Sequence, residues 1–258
     1  MKITVLCENS VCMWLKCTHH IKAEHGLSLF IEVNGTNILF DTAENGEYVK
    51  NAKTLWIDLQ KTDFVVLSHN HDDHTWGTQF HNFKTKKKII FHFNVLKELP
   101  ADQVKKIKKD FEVITTTKPL EFAPGIFFLW EIPRITTFER GIKIKEGKEI
   151  TVIDDSALAI KTPKWVFVIT GCSHSGICNI CEYAKKVTGQ KLLGVIWWFH
   201  LFWSHKQNEK AIAWTATYFK KEKIKYLYPM HCIDFEAMMA IYQAVPFEKL
   251  WTGSVVEI

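Results

Sequence analysis

The feature that most constrains this chain is a dense group of histidines and aspartates directly behind a short apolar run. Phe64–Leu67 is entirely apolar, which is typical of a buried β-strand. The residues that follow, 68–75, read SHNHDDHT. Imidazole and carboxylate groups at this density cannot form a hydrophobic core, because each of them needs hydrogen-bond partners. The segment therefore predicts a polar site at the end of a strand.

The spacing of these residues predicts ligands for metal ions. On a loop that leaves a strand, alternate residues share a side, so His69 and His71 project in the same direction. A helical turn after them brings Asp73 and His74 round to face the first two, whereas Asp72 alternates away, toward solvent or a supporting position. Imidazole and carboxylate ligands suit zinc, iron or manganese. We expect two adjacent ions, one bound by the first histidine pair and the other by Asp73 and His74.

Hydrophobic periodicity predicts hairpins in addition to alternating strands and helices. The strongest short-range signal is Asn34-Gly35, a hairpin turn between strands at Leu27–Val33 and Thr36–Asp41. Further strands are predicted at Lys2–Glu8, Lys88–Phe93, Phe111–Thr115, Ile126–Ile132, Ser156–Lys161, Trp165–Thr170, Leu193–Trp198 and Tyr226–Pro229, and helices at Gly46–Leu59, Asn94–Lys109, Ile177–Val187 and Asn208–Lys220. Hairpins and βα units in both halves predict an α/β fold, a four-layer αββα sandwich of two mixed β-sheets. Since no Pro-, Gly- or Ser-rich linker interrupts the chain, residues 1–258 are expected to form a single domain.

Composition favours a small-molecule substrate over a nucleic acid. Lysine and arginine total 33 against 28 aspartates and glutamates, which gives a net charge of +5. The excess lies mainly in lysine clusters at residues 86–88 and 105–109. Such clusters are typical of solvated faces, and they can also attract an anionic substrate. No basic motif interleaved with aromatic residues points to nucleic-acid binding.

Cysteine usage and the apolar segments predict a protein of the reducing cytoplasm. The 7 unevenly spaced cysteines do not suggest a disulfide framework. Cys178 and Cys181 are spaced as CxxC within a predicted helix, where an inward-packed pair is favoured over a metal or redox site. The N-terminal segment reads as a first strand and not as a secretory signal. The longest apolar stretch, Leu192–Trp203, has 12 residues, fewer than the ~20 that span a bilayer, so no membrane association is expected.

These motifs resemble those of a known family. The string HNHDDH at residues 69–74 resembles the signature of the metallo-β-lactamase superfamily, and NILFDT at 37–42 resembles the strand that precedes it, with Ala43 where glycine is usual. More narrowly, four segments together resemble the subgroup related to dihydropterin ribofuranosylaminobenzene phosphate synthase: AEHGLS at 23–28, EIPR at 131–134, TGCSHSG at 170–176 and FHL at 199–201. The matching motifs run from position 23 to position 231. The resemblance implies the αββα sandwich and its metal site.

Each ion needs further ligands, which the resemblance places elsewhere in the chain. His231, in the segment YPMHC, fits the last histidine of the superfamily, on the second ion. Two assignments compete for the other positions. In one, Cys172 stands where a bridging aspartate is usual; in the other, His174 is the third histidine of the first ion and His200 takes the later position. We favour His174 as a ligand, with Cys172 next, and leave His200 as either a ligand or a catalytic acid that faces the substrate.

Three further residues are given supporting roles. Asp41, at the end of a strand, is expected to orient one of the imidazoles from behind. Arg134 is predicted to bind a phosphate of the substrate, the alternative being a plain surface arginine. Trp198 lies in a run of aromatic residues and is predicted to contact a planar ring, the alternative being core packing. The subgroup commonly has small glycines before FHL, where this chain has two tryptophans.

The ligand chemistry predicts a hydrolase that uses two divalent metal ions, with zinc expected and iron or manganese as alternatives. A hydroxide bridging the ions would attack an ester, phosphodiester, lactone or amide, with Asp73 orienting it or accepting its proton. The resemblance implies a second possibility, the condensation of a pterin with an aminobenzene ribosyl phosphate. A third is a non-hydrolytic protein whose iron transfers electrons or senses oxygen. The expected partner is a small molecule, anionic or aromatic.

Overall fold

The computed structural model describes residues 1–11, 20–139, 142–145, 148–197, 209–230 and 233–258. The strands of this part of the chain are β1 (Lys2–Cys7), β2 (Ser28–Val33), β3 (Thr36–Phe40), β4 (Phe64–Val66), β5 (Lys87–Ile90), β6 (Phe111–Ile114), β7 (Leu120–Ala123), β8 (Ile126–Phe128), β9 (Ile142–Lys145), β10 (Lys148–Thr151), β11 (Ala157–Lys161), β12 (Trp165–Thr170), β13 (Lys191–Trp197), β14 (Tyr226–Pro229) and β15 (Val255–Glu257). Its helices are α1 (Glu47–Thr54), α2 (Asp72–Thr75), α3 (Val95–Glu98), α4 (Ala101–Asp110), α5 (Ile177–Thr188), α6 (Glu209–Glu222) and α7 (Phe235–Ala244). Within the described ranges, no helix is both long and apolar enough to cross a membrane. The chain divides into two compact units, Met1–Thr116 with Leu250–Ile258, and Thr117–Lys249.

A mixed seven-stranded sheet forms the centre of the first unit. Its order is β15-β1-β2-β3-β4-β5-β6, with antiparallel pairing from β15 to β3 and parallel pairing from β3 to β6. The predicted turn at Asn34-Gly35 is confirmed, because it joins β2 to β3 and both residues have positive φ, 51° and 75°, as a two-residue hairpin turn requires. At one edge, Ile3 of β1 lies opposite Val256 of β15. Strands from both ends of the sequence therefore belong to one sheet.

The core of the first unit holds its helices against the central strands. Leu39, Val65 and Ile89, one from each of β3, β4 and β5, are fully buried in one cluster with Tyr48 of α1 and Ile107 of α4. Burying a large apolar side chain contributes about 1.5–3 kcal/mol, so a cluster of this size fixes the three strands firmly. The residues that follow these strands consequently start from well-defined positions.

One predicted helix is divided in two. The pattern predicts a single helix over Asn94–Lys109, whereas the structure has α3 and α4 on either side of Pro100. Leu99 adopts an extended conformation, with ψ 148°, because the residue before a proline is sterically pushed out of the helical region. The hydrophobic period continues across the break, which is why the pattern alone does not reveal it.

The second unit is built on a six-stranded mixed sheet, in the order β14-β13-β12-β11-β8-β7. The pairs from β14 to β12 are parallel and those from β12 to β7 are antiparallel, while β9 and β10 form a separate hairpin. Helix α5 connects β12 to β13, and its Cys178 and Cys181 are fully buried in the core cluster of this unit. The predicted inward packing of the CxxC pair is thus confirmed.

Candidate metal centre

The predicted ligands of the first unit follow two neighbouring parallel strands. β3 is followed directly by Asp41, and β4 leads into the segment His69–His74. Parallel strands end at the same edge of a sheet, so the two segments meet there. His71 is the N-cap of α2, and its carbonyl oxygen accepts hydrogen bonds from the N–H groups of His74 and Thr75, both at 3.1 Å. This short helix brings His74 back beside His69.

Three imidazole rings of this segment form one group, the histidine cluster of His69, His71 and His74. The ring centroids of His69 and His71 are 4.6 Å apart, and those of His69 and His74 are 4.2 Å apart. In each of these two pairs, ring nitrogens lie within 4.8 Å of each other, which suits one ion or two ions about 3.5–4 Å apart. Asp73 adds a carboxylate, its Oδ2 3.4 Å from Nε2 of His74. The donor set fits divalent metal ions, and the residues lie together as their spacing predicts; their role as ligands stays a prediction.

Asp41 supports the histidine cluster from behind. Its carboxylate is fully buried, with Oδ2 2.6 Å from Nδ1 of His74 and accepting a hydrogen bond from Ser68 Oγ at 2.7 Å. Its other oxygen, Oδ1, accepts the Ser68 N–H at 2.7 Å, and Ser68 Oγ also lies 2.8 Å from Nδ1 of His69. A carboxylate in this position sets the tautomer and ring orientation of a ligand histidine. The predicted contact between Asp41 and one of the imidazoles is confirmed.

The charges around His74 favour a cation at this position. Burial lowers the pKa of His74, but the carboxylates of Asp73 and Asp41 outweigh that effect and raise the pKa to about 10. The two carboxylates therefore favour the doubly protonated, positively charged form of this imidazole in the metal-free protein. A metal ion that binds His74 takes the place of a proton, so binding is coupled to proton release. Asp72, in contrast, is exposed, as its alternation predicts.

A glycine fixes the backbone of the ligand segment. Gly26 has φ +128°, and a Cβ added there would lie 2.3 Å from the carbonyl oxygen of Asp73. The next residue, Leu27, donates its N–H to the same carbonyl oxygen at 3.1 Å. Glycine allows both the close approach and the backbone angle. The segment AEHGLS, which contains Gly26, thus braces the turn that carries Asp73.

Gly26→Ala is expected to lower the free energy of unfolding by about 3 kcal/mol or more, since a backbone collision and an unfavourable φ act together. The matched control is Gly35→Ala, because Gly35 also has positive φ, +75°, but an added Cβ there meets nothing within 4 Å. Urea unfolding of the metal-free proteins measures both losses. Equal losses would show that the contact between residue 26 and Asp73 is not tight.

Two histidines near these residues have no role in the sequence prediction. His25 is exposed, and its Nδ1 lies 3.9 Å from Oδ2 of Asp73 and 4.0 Å from Oε2 of Glu44. His92 is fully buried just beyond β5, the strand that pairs in parallel with β4. The AEHGLS motif could have singled out His25, and the signal for His92 is its place after the next strand of the sheet.

Two of the remaining predicted ligands lie in the second unit. Cys172 and His174 occupy the turn between β12 and α5, and both side chains are buried. The turn follows the carboxyl end of β12, which pairs in parallel with β13. Imidazole and thiolate are both ligands that zinc and iron accept. Both side chains follow the end of a strand, and their role as ligands stays a prediction.

Of the other four predicted residues, the structure describes one, Arg134. Arg134 donates a hydrogen bond from Nη2 to the carbonyl oxygen of Val152, and burial lowers its pKa. At least one guanidinium donor thus serves the fold, and a role of Arg134 in binding substrate stays a prediction. Three predicted residues lie outside the described part of the chain: His200, His231 and Trp198.

Comparison with protein families identifies the class to which this fold and donor set belong. Residues 21–164 match the family described as Metallo-beta-lactamase superfamily, which is more than half of the chain. The chain therefore belongs to the metallo-β-lactamase superfamily, as its motifs predict. Members of this superfamily generally bind divalent metal ions.

Individual proteins similar to this chain include two of known sequence and one of known structure. The chain is 33% identical to 7,8-dihydropterin-6-methyl-4-(beta-D-ribofuranosyl)-aminobenzene-5'-phosphate synthase of Methanocaldococcus jannaschii, over 91% of this chain and 90% of that protein. It is 31% identical to a second protein of that organism, uncharacterized protein MJ0448, over 92% of this chain and 94% of the relative. Among solved structures, Tm1679, a metal-dependent hydrolase of the beta-lactamase superfamily, is similar with a TM-score of 0.82 at 23% identity, over 100% of this chain and 99% of the other. The predicted fold class, two mixed sheets with helices, is confirmed.

Proposed function

We propose that this chain is a metal-dependent hydrolase that uses two divalent metal ions. The observation that carries the proposal is the histidine cluster, with Asp73 beside it and Asp41 hydrogen-bonded behind His74. Imidazole and carboxylate side chains grouped in this way form a donor set that divalent metal ions accept. Membership of the superfamily supports the proposal.

The proposed ligands are the residues that the sequence motifs predict. The first histidine pair of the motif would hold one ion, Asp73 and His74 would hold the other, and residues elsewhere in the sequence would complete both sets. Zinc is the expected metal, with iron or manganese as alternatives, because imidazole, carboxylate and thiolate suit these ions. The full proposed set is His69, His71, Asp73, His74, His174, Cys172 and His231.

Bound metal ions supply an activated water at neutral pH and a Lewis acid for the oxygens of the substrate. Asp73 would orient an attacking water or take up its proton, and His200 would act either as a ligand or as an acid that faces the substrate. Arg134 contacts an anionic group and Trp198 a planar ring. The proposed substrate is a small molecule of the cytoplasm, anionic or aromatic, with an ester, phosphodiester, lactone or amide bond that is cleaved.

Metal removal tests this proposal. Protein purified without added metal is expected to contain about two zinc ions per chain by elemental analysis. A chelator should abolish hydrolysis across a panel of phosphodiester, lactone and thioester substrates, leave the far-UV circular dichroism unchanged, and be reversed by added zinc. Activity that survives complete metal removal would contradict the proposal. Visible absorption would point instead to an iron–thiolate centre, the non-hydrolytic alternative, because zinc is colourless.

A second function is favoured by one specific observation, the 33% identity to a synthase over 91% of the chain. In this alternative the protein condenses a pterin that carries a diphosphate with an aminobenzene ribosyl phosphate, and the diphosphate leaves as the new bond forms. The motif residues and their proposed partners would be the same, and Trp198 would stack on the pterin ring. Supplying both partners to the zinc-loaded protein and analysing products by mass spectrometry separates the two functions. A coupled product favours the synthase, whereas hydrolysis alone favours the hydrolase.

A further inference from the structure

A tight turn in the second unit carries two of the proposed ligands. Cys172 and His174 lie on either side of Ser173, whose φ of 53° is in the left-handed region. A non-glycine residue in this region is uncommon and persists where neighbouring contacts hold it. The N–H of Gly176 donates to the carbonyl oxygen of Ser173 at 2.8 Å and closes the turn. The geometry of the turn therefore depends on the groups that surround it.

Side chains from outside the turn bind both backbone groups of Ser175. Oδ2 of Asp155 accepts its N–H at 2.9 Å, and Nδ2 of Asn179 donates to its carbonyl oxygen at 2.8 Å. Asp155 precedes β11 and Asn179 belongs to the first turn of α5, and both side chains are 0% exposed. Hydrogen bonds shielded from water in this way are stronger than the same bonds in solvent.

Glu139 anchors the start of α5 beside the turn. Its carboxylate accepts the N–H groups of Cys178 at 2.9 Å and Asn179 at 3.1 Å. Gly176 has φ +90°, and a Cβ there would lie 2.4 Å from the side chain of Glu139. Glu139 thus fixes the helix, whereas Asp155 fixes the residue that directly follows His174.

We propose that Asp155 is a positioning residue of the metal centre: by accepting the Ser175 N–H, it holds the turn in the geometry that presents Cys172 and His174 to the metal. The inference rests on the proposed function, because it requires that at least one of these two residues be a ligand. A buried carboxylate is unfavourable unless hydrogen bonds compensate the loss of water. The hydrogen bond from the Ser175 N–H is such a compensation, and it ties Asp155 to the turn. Groups that orient metal ligands typically change metal affinity 10–100-fold, and an effect of that size is expected here.

Zinc affinity of the metal-free chain, measured by competition with a chromophoric chelator, tests the inference. Asp155→Ala is expected to weaken zinc binding about 10–100-fold. Asp155→Asn keeps an oxygen that can accept the same N–H, so its affinity should stay within about threefold of wild type. The matched control is Thr188→Val, which removes a buried hydrogen bond at the other end of α5, from Thr188 Oγ1 to the Ala184 carbonyl oxygen at 2.7 Å. Its zinc affinity should be unchanged.

Equal zinc affinities of Asp155→Ala and Thr188→Val would overturn the inference, and so would a loss in Asp155→Asn as large as that in Asp155→Ala. Cys172→Ala and His174→Ala separate this failure from failure of the proposed function. If both variants bind zinc like the wild type, the ligand assignment is wrong. If either loses affinity while Asp155→Ala does not, the positioning role alone is wrong.

Amide hydrogen exchange of the metal-free wild type provides a second test that needs no variant to fold. A turn held in place before metal binds should protect the Ser175 N–H at least about 100-fold relative to an exposed amide. Protection of that size is expected from the buried hydrogen bond to Asp155. Exchange within about tenfold of an exposed amide would overturn the positioning role.

Discussion

Replacing His71 by alanine is expected to abolish metal-dependent activity while leaving the fold in place. The backbone carbonyl of His71 accepts the N–H groups of His74 and Thr75, and alanine keeps that carbonyl. Alanine removes an imidazole whose centroid lies 4.6 Å from that of His69. Because a bound metal supplies several kcal/mol of transition-state stabilisation, loss of a ligand should lower kcat/KM by about 10³-fold or more. The measurement is kcat/KM with added zinc, with a thermal melt to confirm folding.

The matched control is Asp72→Asn, one residue further along the same turn. Asp72 is exposed, and its Oδ1 accepts the N–H of Asp73 at 3.1 Å, a hydrogen bond that an asparagine oxygen can keep. Activity should stay within about twofold of wild type, as for most surface substitutions. Full activity in His71→Ala would eliminate the proposed mechanism. Equal impairment of both variants would mean that the turn, and not the imidazole, is what matters.

Asp41→Ala is expected to cause a large loss of stability. It removes a fully buried carboxylate that accepts hydrogen bonds from the N–H and Oγ of Ser68 and contacts Nδ1 of His74. Removing one partner of a buried charged pair typically lowers the free energy of unfolding by about 3–5 kcal/mol. Urea unfolding of the metal-free protein should show a loss of that size. Zinc affinity should fall as well, because the ring of His74 then loses the carboxylate that orients it.

Two further variants provide comparisons for Asp41→Ala. Asp41→Asn keeps an acceptor oxygen and tolerates the left-handed φ of 54° at this position, so it should lose less stability than alanine. Ser28→Ala removes the buried hydrogen bond from Ser28 Oγ to the backbone carbonyl oxygen of Asp41 at 2.9 Å, which should cost about 1 kcal/mol. If Asp41→Ala loses no more than Ser28→Ala, the carboxylate does not support the cluster.

The parts of the fold that depend on consecutive residues are the parts that sequence pattern predicts well. β14 has the predicted bounds, Tyr226–Pro229, and the hairpin turn before β3 is confirmed. Strands β9 and β10 are not predicted, because each is only four residues long and rich in charged residues. Helix α7 is also missed. Its apolar residues are not confined to one buried face, since Phe235, Met239 and Tyr242 are 67%, 42% and 49% exposed. The sequence therefore lacks the single apolar stripe that identifies a helix.

In the candidate site, too, sequence pattern predicts the contacts between residues close in sequence and misses the contacts between distant ones. The residues of the HNHDDH motif share one loop, so their spacing alone predicts that they meet. Cys172 and His174 instead depend on a turn held by Asp155, which lies 20 positions before its partner Ser175. No local pattern in a single sequence indicates a contact at that separation. The AEHGLS motif contains His25, but the approach of this residue to Asp73 follows from tertiary packing.

The pairing of β1 with β15 has a consequence for biosynthesis. A ribosome makes the chain from its N-terminus, so the whole second unit, Thr117–Lys249, emerges before the strand that completes the first unit. During that interval the outer edge of β1 offers unpaired backbone groups to any other strand nearby. We therefore expect nascent chains to be most prone to aggregation before β15 has emerged, because the edge of β1 is then uncovered.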